Sequence, residues 1–352
     1  MVSELNRVNS ISNEEEDKVI FSTDVKALYP SLKAEFVSDI IEEMYEGSEL
    51  KIVVDVDELS LYLALVAEPH EIREKGLEPV VKKWRHEGGR GRRPGITSAE
   101  VMGGRAQRND SKFLPADRKP NQREERKMIA LAIKKGIQVV MENHLYTIDG
   151  KIYRQSEGGP IGLQATGAIA RTFMIWWDKK FMERMREATC NMEWTCHMYM
   201  RYVDDGNMVC TPFPIGCDLR DGRVCLQDVN ESDSYQGRNL SKDRNTAEIV
   251  QKLANIICDF IKVEIDYLLA HSRLHMPILD MEVAIQNNEV MNRHYRKIIA
   301  NPQAIHMNSA MPVKVKMTCL ANEVTRIMRN TKKEAPGEVK GSSSVSLHKE
   351  CG

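Results

Sequence analysis

The stretch "MYMRYVDDGNMV", Met198 to Val209, sets Asp204 and Asp205 side by side between Tyr202-Val203 and Met208-Val209. Ionised carboxylates are strongly disfavoured in a buried strand unless something pairs with them. One solution is a hairpin turn, because Asp-Asp-Gly-Asn between β-prone runs is good turn chemistry. The other is a divalent cation, held by carboxylates that a tight turn pushes out of the sheet. Both solutions put an antiparallel hairpin here, and the rest of the chain has to choose between them.

The 352 residues carry a net charge of −1, so nucleic-acid affinity would have to come from local basic patches. One such patch is Lys82-Lys83-Trp84-Arg85 followed by "GGRGRRPG". Lys82, Lys83, Arg85, Arg90, Arg92 and Arg93 are therefore candidate phosphate contacts, the alternative being a solvated loop. The eight cysteines form no C-x-x-C pair, and the N-terminus lacks an apolar signal core. No run reaches the length of a membrane span, the most apolar candidate, "KIVVDVDELSLYLALVA", being broken by acids. A reducing intracellular compartment, nucleus or cytoplasm rather than the secretory route, is the expectation.

Residues 1–17 read as a polar, acidic leader, and "KVIFSTDV" as a strand. Leu32, Phe36, Ile40, Ile41 and Met44 fall at helical spacing, with Gly47 as a C-cap. A second helix is expected in "DELSLYLALVAE" and a third in "REERKMIALAIKKGIQVVMEN", with 85–122 as a long irregular connection. Asp149-Gly150 signals a hairpin in "LYTIDGKIYRQ", and a long helix should cover "AIARTFMIWWDKKFMERMREA". Residues 211–245 read as a polar loop, the next helix carries Ile249, Leu253, Ile256, Ile257 and Phe260, and "KVEIDYLLA" and "PILDMEVAI" are strand-like. Residues 336–352 have the composition of a disordered tail. Helices alternating with hairpins, without regular βαβ units, predict an α+β domain: an antiparallel sheet backed by helices on one face.

Three segments carry chemistry together. In "FSTDVKALYPSL" Asp24 lies near a strand end, with Tyr29 five residues on; alone, Asp24 could simply cap a helix. In "RQSEGGPIGLQATG" paired glycines make a tight turn or let a flat ligand approach the backbone. The third is the Asp204-Asp205 hairpin. In this order the chain resembles a reverse transcriptase: "DVKALYPSL" is similar to the first palm motif of that family, "QSEGGPIG" to its second and "YVDD" to its third. "MPILDMEVAIQNNEVMNRHYRK" with "NSAMPVKVK" resembles the segment after the palm in Penelope-like elements.

The resemblance implies an RNA-directed DNA polymerase domain of a retroelement. It would transfer nucleotides onto a primer 3′-hydroxyl with two Mg²⁺ ions (Mn²⁺ as a substitute), an RNA or DNA template and deoxynucleoside triphosphates. Asp24, Asp204 and Asp205 would be the catalytic metal ligands. Tyr29 would lie under the sugar, and Gln155, Gly158 and Gly159 would line the nucleotide and template. Arg273, flanked by His271 and His275, falls near a cation that protonates pyrophosphate in relatives. The implied architecture is a palm over 18–290, with an insertion at about 48–140, and a thumb-like segment over 291–335. The fingers are expected to be largely missing, since 23 acidic-biased residues precede Asp24, and the copy to be truncated or weakly active. Two other readings stand beside it. "DVKALYPSL" also resembles family B DNA polymerases, whose third motif separates its carboxylates by one residue; the other is a non-catalytic nucleic-acid-binding remnant.

Overall fold

The computed structural model describes residues 1–11, 17–84, 113–155, 157–226, 242–267, 276–279, 281–286, 289–295 and 309–330. The chain begins with α1 (Val2–Ile11), β1 (Val19–Lys26), a single turn α2 (Leu28–Ser31) and α3 (Ala34–Glu46). Then come α4 (Val56–Val66), α5 (Pro69–Glu74), the short strands β2 (Lys83–Trp84) and β3 (Phe113–Leu114), and α6 (Gln122–Glu142). The hairpin β4 (Leu145–Ile148) and β5 (Lys151–Arg154) leads into the long α7 (Gln164–Ala188). Next are β6 (Cys196–Tyr202), β7 (Asp205–Cys210), the hairpin β8 (Cys217–Arg220) and β9 (Arg223–Leu226), α8 (Lys242–Asn255) and β10 (Lys262–Tyr267). Three strands, β11 (Met276–Ile278), β12 (Met281–Gln286) and β13 (Glu289–His294), precede α9 (Val313–Asn330).

The main sheet has the order β10-β1-β7-β6, with every neighbouring pair antiparallel. Along the chain this is β1-α7-β6-β7-α8-β10, the split β-α-β arrangement. The expected α+β class with an antiparallel sheet is what the protein adopts, but helices lie on both faces: α7 and α8 on one and α1 on the other. Period-2 alternation assigns the two faces. Phe21, Val25, Met208, Cys210 and Val263 meet Phe173, Trp177 and Phe181 of α7 and Ile249, Val250 and Leu253 of α8 in the largest apolar cluster. Ser22, Asp24 and Lys26 of β1 therefore point away from α7 and α8.

That second face is covered at one end only. Ile20, Met198 and Val209 pack there against Leu5 and Val8 of α1 and against Met276, Ile278, Met281 and Val283 of the three-stranded sheet. The opposite end, where Asp24 lies, is half-exposed. Residues 1–17, read from the sequence as a polar leader, thus contain a helix whose buried Leu5 and Val8 complete a core.

The insertion between the first two motifs builds its own apolar cluster from Leu59, Leu63, Ile72, Leu77, Val80 and Val81 against Met128 and Leu131 of α6. Helix α6 starts where a reciprocal cap satisfies its first amides: Asn121 Oδ1 accepts from Glu124 N–H and the Glu124 carboxylate accepts from Asn121 N–H, both at 2.9 Å. The loop expected over 211–245 contains the β8–β9 hairpin and the start of α8. The described cysteines are free thiols. No helix among the described residues is long and apolar enough to cross a membrane.

Candidate functional site

Strand register brings the first and third motifs together. Asp24 of β1 is the direct antiparallel partner of Asp205 of β7, and on its other side of Glu264 of β10. Directly opposed residues in such pairs have Cβ atoms about 4.5–5.5 Å apart on one face. Asp24 and Asp205 therefore present their carboxylates side by side beyond the edge of the apolar cover.

The hairpin turn is displaced from the Asp-Asp-Gly-Asn run. Tyr202 pairs with Asp205, so the two-residue loop is Val203-Asp204, and Asp205, Gly206 and Asn207 already belong to β7. Register with β1 explains the displacement. Gly206 lies opposite Thr23, and a Cβ on Gly206 would collide with the Thr23 hydroxyl, so the glycine serves a close strand approach rather than a turn. The strain moves to Val203, whose φ of 59° is unusual for a β-branched residue. The carbonyl of Asp204 accepts the backbone N–H of Val25 at 3.3 Å, fastening the loop to β1.

The second motif docks on the first. The N–H of Gly159 donates to the Tyr29 carbonyl at 2.8 Å. Gly158 has φ 73°, and a Cβ there would strike the backbone of Pro30. Only a residue without a side chain fits this left-handed position against another backbone. Tyr29 itself is half-buried at the margin of the main core. Gln155 turns into its own loop, its Nε2 donating to the Glu157 carbonyl at 2.9 Å.

Three residues that sequence reasoning missed complete the face. The Lys26 ammonium lies 3.1 Å from Asp24 Oδ2 and 3.0 Å from Glu264 Oε2, bridging the two carboxylates. Hydrogen bonds to Glu264 first, then Asp24, raise the Lys26 pKa above the usual lysine value. The alternation of "DVK" puts Lys26 on the Asp24 side, which was a readable signal; its partner Glu264 depends on the sheet order. Asn207, two residues beyond Asp205 and on the same face, is 1% exposed, and neither its Oδ1 nor its Nδ2 has a protein hydrogen-bond partner.

Among the described residues no three His, Cys, Asp or Glu side chains converge as a ready-made metal site. Of the basic patch, Lys82 donates its backbone N–H to Ser60 Oγ at 2.8 Å. The Lys83 ammonium pairs with Asp117 at 2.7 Å, which reduces its availability to a phosphate. Arg85, Arg90, Arg92 and Arg93 lie outside the described residues, as do His271, Arg273, His275 and the 336–352 tail. No family model matches the chain, and no curated protein matches it.

Proposed function

We propose that the protein is a palm-type nucleotidyl transferase, a reverse-transcriptase domain that extends a primer 3′-hydroxyl on an RNA template. The observation that supports this most is the direct opposition of Asp24 and Asp205 on neighbouring strands, with Asp204 in the adjoining loop. A hairpin used only as a turn gives no reason for its second aspartate to pair with a strand-end aspartate from another motif.

The donor set suits Mg²⁺. Its ligands would be carboxylate oxygens, and Mg²⁺ keeps several waters while taking only one or two carboxylates from a protein. One of these carboxylates, Asp24, already shares a cation, the Lys26 ammonium, with Glu264 of β10, so positive charge is electrostatically favoured beside it. Asp24, Asp204 and Asp205 would hold the two ions, which would supply activation of the 3′-hydroxyl and charge neutralisation on the leaving pyrophosphate.

The chain's own groups would do the positioning. Gly158 and Gly159, seated against Pro30 and Thr166, would hold the turn that lines the nucleotide and template side beside Tyr29. The Tyr29 ring would limit space at the sugar 2′ position, so Tyr29→Ala is expected to increase ribonucleotide incorporation. Lys26 would turn from Asp24 towards an incoming phosphate when the carboxylates take up metal.

Primer extension on an RNA template with Mg²⁺ and deoxynucleotides tests the reading, with Mn²⁺ binding followed by electron paramagnetic resonance. Expected are extension and Mn²⁺ binding by the natural chain, both lost in Asp24→Asn. Mn²⁺ binding unaffected by both Asp24→Asn and Asp205→Asn would remove the metal site and the function with it.

A further inference from the structure

Beneath the hairpin, on the α7 side of the sheet, lies a buried polar cluster that the three motifs do not include. The Arg201 side chain is 7% exposed. Its Nε donates to Asp178 Oδ1 of α7 at 2.6 Å, and its Nη2 to the Tyr199 hydroxyl at 2.7 Å. The Tyr199 hydroxyl donates in turn to the same Asp178 oxygen at 2.6 Å. The guanidinium carbon lies 5.0 Å from the Trp177 ring centroid. The third arm of the fork, Nη1, donates to the backbone carbonyl of Asp204 at 3.2 Å.

This geometry does more than neutralise a buried charge. Only a planar guanidinium can address a carboxylate, a hydroxyl and a carbonyl at once; a lysine ammonium in the same place is a point charge. The carbonyl it reaches belongs to the loop residue between the two strands. That carbonyl receives two donors, Val25 N–H from β1 and Arg201 Nη1 from below. A strained loop, with Val203 at φ 59°, is thereby pinned from two sides. Gly206 shares the arrangement: a Cβ there would lie 3.5 Å from Arg201 Nη2, close to the guanidinium.

We propose that Arg201, held by Asp178 and Tyr199, is a positioning residue that fixes the Val203-Asp204 loop and so sets the direction of the Asp204 and Asp205 carboxylates. Helix α7 supplies Asp178 and starts a few residues after the Gly158-Gly159 turn, so the second and third motifs are mechanically joined through this pair. The significance of the aim rests on the nucleotidyl-transfer reading; the anchoring itself does not.

The test is residue-resolved amide hydrogen exchange on the full chain, natural and Arg201→Lys, with Asp178→Asn as the second variant. Lysine keeps the charge beside Asp178 but loses the fork. Expected is exchange faster by about tenfold or more at Val25, Asp204 and Asp205, with amides of the Val19–Phe21 half of β1 unchanged. Mn²⁺ affinity should weaken by about tenfold or more, the usual effect of removing a group that orients metal ligands. Uniform acceleration along the whole sheet, no acceleration at Val25, or failure of Arg201→Lys to fold would each overturn the proposal, marking Arg201 as a general core contact. If the exchange pattern holds while the natural chain binds no Mn²⁺, the anchor stands and the catalytic reading falls.

Discussion

Asp24 and Asp205, from motifs far apart in the chain, are direct cross-strand partners, and the Lys26 ammonium neutralises Asp24 from the side away from Asp205. Like charges directly opposed across a sheet are unfavourable. Asp24→Asn should therefore fold as well as the natural chain, while its extension rate falls by at least about 10²–10³-fold, the scale of one lost electrostatic contact in a transition state. Urea unfolding beside primer extension checks both; parallel loss of stability and activity would make Asp24 a structural residue.

Gly158 and Gly162 form an internal control, since both have positive φ but only Gly158 faces backbone, that of Pro30. Gly162→Ala should cost about 1–2 kcal/mol, the left-handed backbone penalty alone. Gly158→Ala adds a clash with unyielding atoms and should cost about 3 kcal/mol or more. Equal losses in chemical denaturation would mean that the turn does not seat on Pro30.

Val203 holds a left-handed backbone that costs a β-branched residue on the order of 1–3 kcal/mol. Val203→Gly should raise the unfolding free energy by about 1 kcal/mol after the glycine's greater unfolded-state entropy is counted. Its nucleotide addition should slow, because the carboxylates lose a rigid support. A destabilised Val203→Gly would mean that the Val203 side chain contributes packing that outweighs the strain.

Asn207 buries an amide with no protein partner beside Asp205. An unsatisfied buried polar group costs about 1–3 kcal/mol. Asn207→Leu, nearly the same shape, should stabilise the fold by about 1 kcal/mol, measured by urea unfolding; a loss of that size would show that the amide is satisfied in solution.

Burial pushes the Cys196 and Cys258 thiols up to about 11, with the Asp259 carboxylate adding to the effect at Cys258. Only thiolates are alkylated, so at pH 8 both should react about 10²-fold more slowly than an ordinary thiol and speed up about tenfold per pH unit above it. Exposed Cys190 and Cys319 should be labelled first. Mass-spectrometric mapping after iodoacetamide reads the order; early labelling of Cys258 would contradict the packing of α8 against β10.

The features legible in the sequence are those set by neighbours a few residues apart. The 3.6-residue spacing of Ile40, Ile41 and Met44, the apolar period through α6 and α7, and the Asp149-Gly150 turn of β4–β5 are all where local chemistry puts them. Asp24, Tyr29, the paired glycines and Asp204-Asp205 were identifiable as candidates, but not their mutual placement. That depended on the sheet order, which decides which residues oppose each other and is invisible to any local pattern. Register with β1 moved the turn from Asp-Asp-Gly-Asn to Val203-Asp204, because Gly206 is needed against Thr23. The same order gave Lys26 its second carboxylate on β10, put Asp178 of α7 under Arg201, and supplied the apolar face that Leu5 and Val8 cover. Each of these is a contact between distant segments, stabilised by burial or by charge, and it exists only once the long-range pairing has brought its two halves together.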